Sequence, residues 1–445
     1  MKTERVVTVD AAIGLETAEL QKIYRRVGLR LIPFLMVLYL IAFLDRVNIS
    51  FAALTMNRDL HISETVFGVG AGIFFAGYFL FEVPSNLMLA KVGARRWIAF
   101  LMAIWGLFSI GMAFVHSGTS YVLVRFLLGA AEAGFFPGVV LYLTYWLPVA
   151  VRGRLMAMFI VAIPMSTVVG APVSVAILGM NGHGGLKGWQ WLFLIDGALA
   201  ILFGAMVPWV LADRPEKASW LTHEEQYSLQ NAIVKDTPTD VHSVSWLDLL
   251  TQRKVLTFCC VYFTLMIGLY ALGFWIPQML RSAGVSQDRI GWITAIPYAF
   301  STVCMIFWSR HSDRHGERRW HLMAAFACAA VGITVAATTA HMAAISIAGF
   351  ALAAAGIFSA MPLFWAMTTT SLSGGKAVAG VALINSIGNI GGAVGPIFMG
   401  WMLDRTHSFR VGLFAVSVIL AAGTCLVWMI DQRGARSAGE VDQAG

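Results

Sequence analysis

Twelve stretches of this chain stay apolar for about twenty residues or more, the length a helix needs to cross a ~30 Å hydrocarbon core. They fall at 29–54, 64–90, 97–115, 121–146, 154–180, 189–211, 255–280, 289–309, 320–340, 343–370, 377–403 and 409–431. In lipid, every backbone N–H and C=O must be satisfied within the spanning structure, and for runs of this length that structure is a helix. The sequence therefore reads as an all-α integral membrane protein with twelve transmembrane helices. The first 28 residues are polar, and the apolar run behind them is too long for a cleavable signal peptide.

Charge sets the expected orientation. Of 31 lysines and arginines, twenty-three fall on the side of the N-terminus, six on the opposite side, and Arg46 and Arg125 lie within spans. Basic loops stay in the cytoplasm, so both termini are expected there. The net charge of +7 thus follows topology and does not form a nucleic-acid patch. With 58% hydrophobic and 12% charged residues the chain is far from the composition of soluble domains. All five cysteines (Cys259, Cys260, Cys304, Cys328 and Cys425) sit in apolar segments without C-x-x-C spacing. His311 and His315 lie one turn apart in a basic loop without an acidic or cysteine ligand set. No metal site and no cofactor are expected.

The chain divides into a cytoplasmic tail (1–28), a six-helix bundle (29–211), a cytoplasmic linker (212–254), a second six-helix bundle (255–431) and a cytoplasmic tail (432–445). Thr222 and Glu225 are spaced as a capping box that opens a short surface helix in the linker. The two bundles repeat one another. Gly93-Ala-Arg95-Arg96-Trp97 follows the second span and Gly316-Glu-Arg318-Arg319-Trp320 follows the eighth, while Gly170-Ala-Pro172 is answered by Gly395-Pro396. Two homologous bundles joined by a linker suit a rocker that opens a central cavity to either side in turn.

Ionisable groups inside spans are costly and mark pathways or partners. The fourth span carries Arg125 and Glu132. Seven residues apart, they share a face at about 10.5 Å along the axis, too far for a tight pair. Gly129, Ala130, Ala133, Gly134 and Gly138 in the same span permit close helix packing. Asp45 and Arg46 in the first span point about 100° apart, so only one faces the fourth helix squarely. These two pairs read either as lining a water-filled path or as charges satisfied by neighbouring helices, with Asp45–Arg46 as a clasp. In the second half no ionisable residue lies deep in a span. It offers Tyr270, Trp275, Gln278, Trp365, Thr368, Asn385 and Asn389, neutral donors and rings suited to recognising hydroxyls or rings. Asp196 reads as structural.

The loop Ser309-Arg-His-Ser-Asp313-Arg314-His-Gly316-Glu-Arg318-Arg319 resembles the cytoplasmic signature of the major facilitator superfamily. The stretches PFLMVLYLIAFLDRVNIS, GYFLFEVPSNLMLAKVGARRW, LLGAAEAGFFPGVVLYLTYW and ALINSIGNIGGAVGP resemble its anion:cation symporter family. That family includes bacterial permeases for galactonate, tartrate, phthalate and hydroxyphenylacetate. The resemblance implies Asp45 and Glu132 as proton carriers, Arg46 and Arg125 as anion-binding or coupling residues, and Tyr78 as a cavity residue. It implies a gating signature of Gly93, Arg95 and Arg96 in the first half and of Asp313, Arg314, Gly316 and Arg318 in the second. In the first half the signature aspartate falls on Ala90, with Glu82 nearby as a substitute. The expected protein is a monomeric secondary transporter of the bacterial inner membrane. It takes up a small organic carboxylate by proton symport, with Gln278, Trp365, Asn385 and Asn389 completing the binding site. An anion exchanger or a non-transporting sensor are the alternatives, and no nucleophile, phosphate loop or metal cluster supports an enzyme.

Overall fold

The structure, a computed structural model, describes residues 2–235, 249, 251–339, 342–372 and 375–430. The expected tail 432–445 and linker residues 236–248 lie outside the described residues. Seven helices form the first half: α1 (Lys2–Asp59), α2 (Glu64–Val92), α3 (Ala94–Met112), α4 (Gly118–Glu132), α5 (Phe135–Thr144), α6 (Val149–Leu178) and α7 (Gly188–Val210). The linker contributes α8 (His223–Lys235). The second half holds α9 (Arg253–Ser282), α10 (Gln287–His315), α11 (Arg319–Thr338), α12 (Ala343–Ser371), α13 (Gly375–Thr406) and α14 (Phe409–Trp428). Twelve helical segments among the described residues are long and apolar enough to span a bilayer, α4 and α5 together making one of them.

One departure from the sequence reading has a physical cause. Residues 2–28 are helical and continuous with the first span in α1, whereas the fourth span is interrupted. The 121–146 span is two helices, broken at Ala133–Gly134. Pro137, three residues into α5, has no N–H to donate back across the break. A Cβ on Gly134 would collide with the Ser85 side chain, so the chain can pass α2 here only without one. Glu132 is therefore the last residue of α4.

The signature loops are helix-to-helix turns that need glycine. Gly93 between α2 and α3 has φ +93°, and Gly316 between α10 and α11 has φ +63°. A side chain at either position would be strained. The expected capping box is present: Thr222 N–H donates to Glu225 Oε2 at 3.0 Å and Glu225 N–H to Thr222 Oγ1 at 3.2 Å. Arg26 reaches Glu225 at 2.6 Å, tying α8 to α1.

The two halves meet most closely at the end away from the linker. There α2 lies on α13, with Gly68 against the Pro396 carbonyl, Gly72 against that of Ala393 and Gly400 against the Glu64 backbone. On the other side α10 meets α6, where a Cβ on Gly291 would stand 2.6 Å from the Ala171 carbonyl oxygen. Contacts this close require small residues and leave no passage between the helices. Toward the linker, by contrast, Phe79, Leu80, Phe81 and Val83 of α2 are all exposed. Consecutive residues cover the helix circumference, so α2 has lost its partners on several faces. Among the described residues the molecule is sealed at one end and open toward the linker.

Candidate functional site

Close packing of α2 on α4 builds the site. Gly129 lies against the Phe74 carbonyl and Gly77 against that of Phe126, while Gly70 receives the Tyr121 ring. Tyr121 donates to the Phe67 carbonyl at 3.0 Å. This brings the Phe74 ring over the Arg125 guanidinium, 4.8 Å from its centre, and lets Arg125 Nε donate to the Gly70 carbonyl at 3.2 Å. Arg125 is 0% exposed, and its two terminal nitrogens have no hydrogen-bond partner among the described residues.

Two turns along the same face, Glu132 pairs with Arg46 of α1. The arginine side chain is 14% exposed and the glutamate 1%. Arg46 is ringed by aromatic faces: Phe43 at 5.4 Å, Phe74 at 5.3 Å and Tyr78 at 5.5 Å. It also reaches across to the second half, where the Tyr270 hydroxyl of α9 accepts from Nη1 at 3.5 Å. Its neighbour Asp45 points elsewhere, as the 100° offset requires, and accepts a hydrogen bond from Ser109 of α3. Asp45 Oδ2 and Glu132 Oε2 are buried without partners among the described residues. The four charges thus form two tiers. Arg46 and Glu132, with Tyr78 and Tyr270 beside them, form the open tier; Arg125 lies deeper, behind Phe74, and Asp45 is turned aside toward α3.

The second-half candidates divide. Trp365 packs edge-on against the Tyr262 ring at 4.9 Å, about 12 Å below Tyr270 along α9. Asn385 and Asn389 are half-buried and make no side-chain hydrogen bond among the described residues. Gly388 lies against Tyr262, and a Cβ on Gly392 would stand 3.0 Å from the rings of Phe75 and Tyr270, so this stretch of α13 borders the open tier. Gln278 does not join it. It sits two turns beyond Tyr270 toward the sealed end, about 12 Å away along the axis, with a buried, unpartnered Nε2.

The signature residues stay within their own halves here. Arg95 donates to the Pro208 carbonyl of α7. Arg318 donates to the Ala366 carbonyl of α12 at 3.1 Å and lies 4.0 Å from Asp313. Glu82 has neither ion pair nor hydrogen bond among the described residues, so it makes no substitute gating contact in this conformation. Asp196 accepts from Asn48, whose Oδ1 takes the Ser174 hydroxyl at 2.6 Å. The rings of His311 and His321 share a hydrogen bond of 2.7 Å. Sequence reasoning assigned no role to Phe74 or Ser109. Phe74 precedes Tyr78 by one turn and so shares its face, while Ser109 carried no signal beyond polarity in an apolar span.

The sequence profile of the Major Facilitator Superfamily matches residues 35–286 and 258–443. The chain belongs to this superfamily. It is a membrane transporter and not an enzyme. A relative in Agrobacterium vitis named as a tartrate transporter is 50% identical over 421 residues, covering 94% of this chain and 93% of its own. The metabolite transport protein NicT of Pseudomonas putida is 40% identical over 408 residues, covering 91% and 93%. Among solved structures, a bacterial homologue of the human lysosomal transporter Spinster superposes with a TM-score of 0.74 at 16% identity, covering 92% of this chain and 97% of that one. A D-xylose–proton symporter gives 0.72 at 15%, covering 90% and 97%. These two likenesses concern the fold.

Proposed function

We propose that this transporter takes up a small organic acid, of the hydroxy-dicarboxylate kind named for its Agrobacterium vitis relatives, together with a proton. The observation that carries the reading is the half-buried pair Arg46–Glu132, with the fully buried Arg125 behind it holding two nitrogens unpartnered among the described residues. A buried cation without a counter-charge is costly, and a carboxylate ligand fits the planar guanidinium fork in two-point contact. Glu132 occupies Arg46 when no substrate is present. Protonation of Glu132 removes its charge and frees the guanidinium for an incoming carboxylate. Proton and anion then favour one another's binding, and the coupling is reciprocal. Asp45, held by Ser109, is a second carboxylate able to share the proton load. Asn385 and Asn389 supply neutral contacts for the remainder of the substrate, Trp365 lines the approach from the linker side, and the hydroxyls of Tyr78 and Tyr270 border the charged end.

The halves then rock about this site, with the linker side open in the conformation seen. Basic residues concentrate on that side, which supports a cytoplasmic placement of both termini in a bacterial inner membrane. The test is uptake of labelled tartrate into proteoliposomes. An inward proton gradient should drive accumulation, and a protonophore should abolish it while counterflow persists. Accumulation indifferent to the gradient would favour an anion exchanger.

A further inference from the structure

Outside the central site, a concavity of about 550 Å³ opens between α10, α11 and α12. Its wall is apolar. Phe300, Val303 and Phe307 form an exposed stripe along α10, and Cys328 of α11 faces them across the groove. At the linker end the lining changes character abruptly, to Arg310 and Arg314. These two are four residues apart, so they stand on one face about 6 Å apart along the axis. Neither forms an ion pair among the described residues. The acidic groups of this corner are engaged elsewhere. Asp313 lies 4.0 Å from Arg318, and Glu317 accepts from the Trp320 N–H and the His321 ring.

The dimensions match one kind of ligand. From Phe300 to Arg314 the groove follows α10 for about 21 Å. That is the depth of one ~15 Å leaflet plus the adjoining headgroup layer. We propose that the groove holds a single anionic phospholipid of the linker-side leaflet, with an acyl chain along Phe300–Phe307 and its phosphate between Arg310 and Arg314. The charge complementarity selects the headgroup and the apolar wall selects a lipid over a soluble anion. Basic residues at the membrane surface attract anionic lipid over neutral lipid.

Native mass spectrometry of the full-length protein tests this, with phosphatidylglycerol and phosphatidylcholine of the same acyl chains as probes. The parent should retain one phosphatidylglycerol at least about fivefold more tightly than phosphatidylcholine. The double substitution Arg310→Gln/Arg314→Gln should erase that preference, and Arg310→Lys/Arg314→Lys should keep most of it. Cys328→Trp fills the apolar wall and leaves both arginines in place, so it should lower retention of both lipids. Equal retention of the two lipids by the parent would overturn the proposal. So would a preference that survives both the glutamine pair and Cys328→Trp, or displacement of the lipid by inorganic phosphate alone.

Discussion

Arg46 and Arg125 have the same side chain and different circumstances. Arg46 is paired and partly exposed, while Arg125 is sealed and has two nitrogens without partners. Both are placed to use the flat fork and not charge alone: Arg46 lies among the rings of Phe43, Phe74 and Tyr78, while Arg125 lies over Phe74 and holds the Gly70 carbonyl. Lysine keeps the charge but loses the fork and the stacking. Arg46→Lys and Arg125→Lys should each weaken substrate binding at least about tenfold, roughly 1.4 kcal/mol, as read by calorimetric titration. Unchanged affinity in both would remove the arginines from recognition. Under the proposed function the uncharged groups have a different task. Asn385→Ala and Asn389→Ala should reorder the ranking of competing acids in uptake assays, with proton dependence intact. A ranking that moves only with first-half substitutions would overturn this division of labour. The four charged positions were legible in the sequence because charge within a lipid-spanning run is so costly. Their pairing was not: spacing placed Arg125 and Glu132 on one face, but which residue of α1 turned toward Glu132 depended on how α1 is rotated against its neighbours. Gln278 shows the same limit, since polarity within a span could not say at which depth it lies.

At the scale of helices, the site exists because glycines let α2 approach α4. A Cβ on Gly129 would stand within 3 Å of the Phe74 α-carbon. Gly129→Ala should therefore push the two helices apart and cost about 1–3 kcal/mol, seen as a lower melting temperature of the purified protein. The break after Glu132 escaped the sequence reading because hydropathy measures length in lipid and not continuity. A second feature belongs to the seal between the halves. The Asp404 carboxylate at the end of α13 accepts the N–H groups of Glu64 and Thr65 at 3.1 and 2.8 Å. These are among the free donors of the first turn of α2, where a negative charge is favourable. The bond crosses between halves, so it can persist only while this end is closed. Asp404→Asn should shift the resting population toward opening at that end. A cysteine replacing Ile397, whose side chain lies in the sealed α2–α13 contact, would then react faster with a membrane-impermeant thiol reagent. An unchanged labelling rate would mean that the latch does not bias the equilibrium.

For the whole molecule, the repeat of two bundles was readable from the paired Gly-x-Arg-Arg loops and the paired Gly-Pro motifs. Twelve spans followed from hydropathy, since lipid admits few other structures. The conformation was not readable, because a rocker's sequence must suit both of its states and so specifies neither alone. What the structure adds is one state, sealed where α2 meets α13 and open toward the linker, with Glu132 holding Arg46. The central claim is that this pair exchanges its carboxylate partner when Glu132 takes up a proton. Glu132→Gln fixes the site in the neutral form, so substrate should still bind and still exchange across the membrane. Nothing would remain there to release a proton inside. The decisive measurement is paired flux in proteoliposomes, counterflow without a gradient and accumulation with an inward proton gradient. Glu132→Gln should keep counterflow and lose accumulation, with Asp45→Asn as the comparison for a shared load. Accumulation by Glu132→Gln equal to that of the parent would contradict the account.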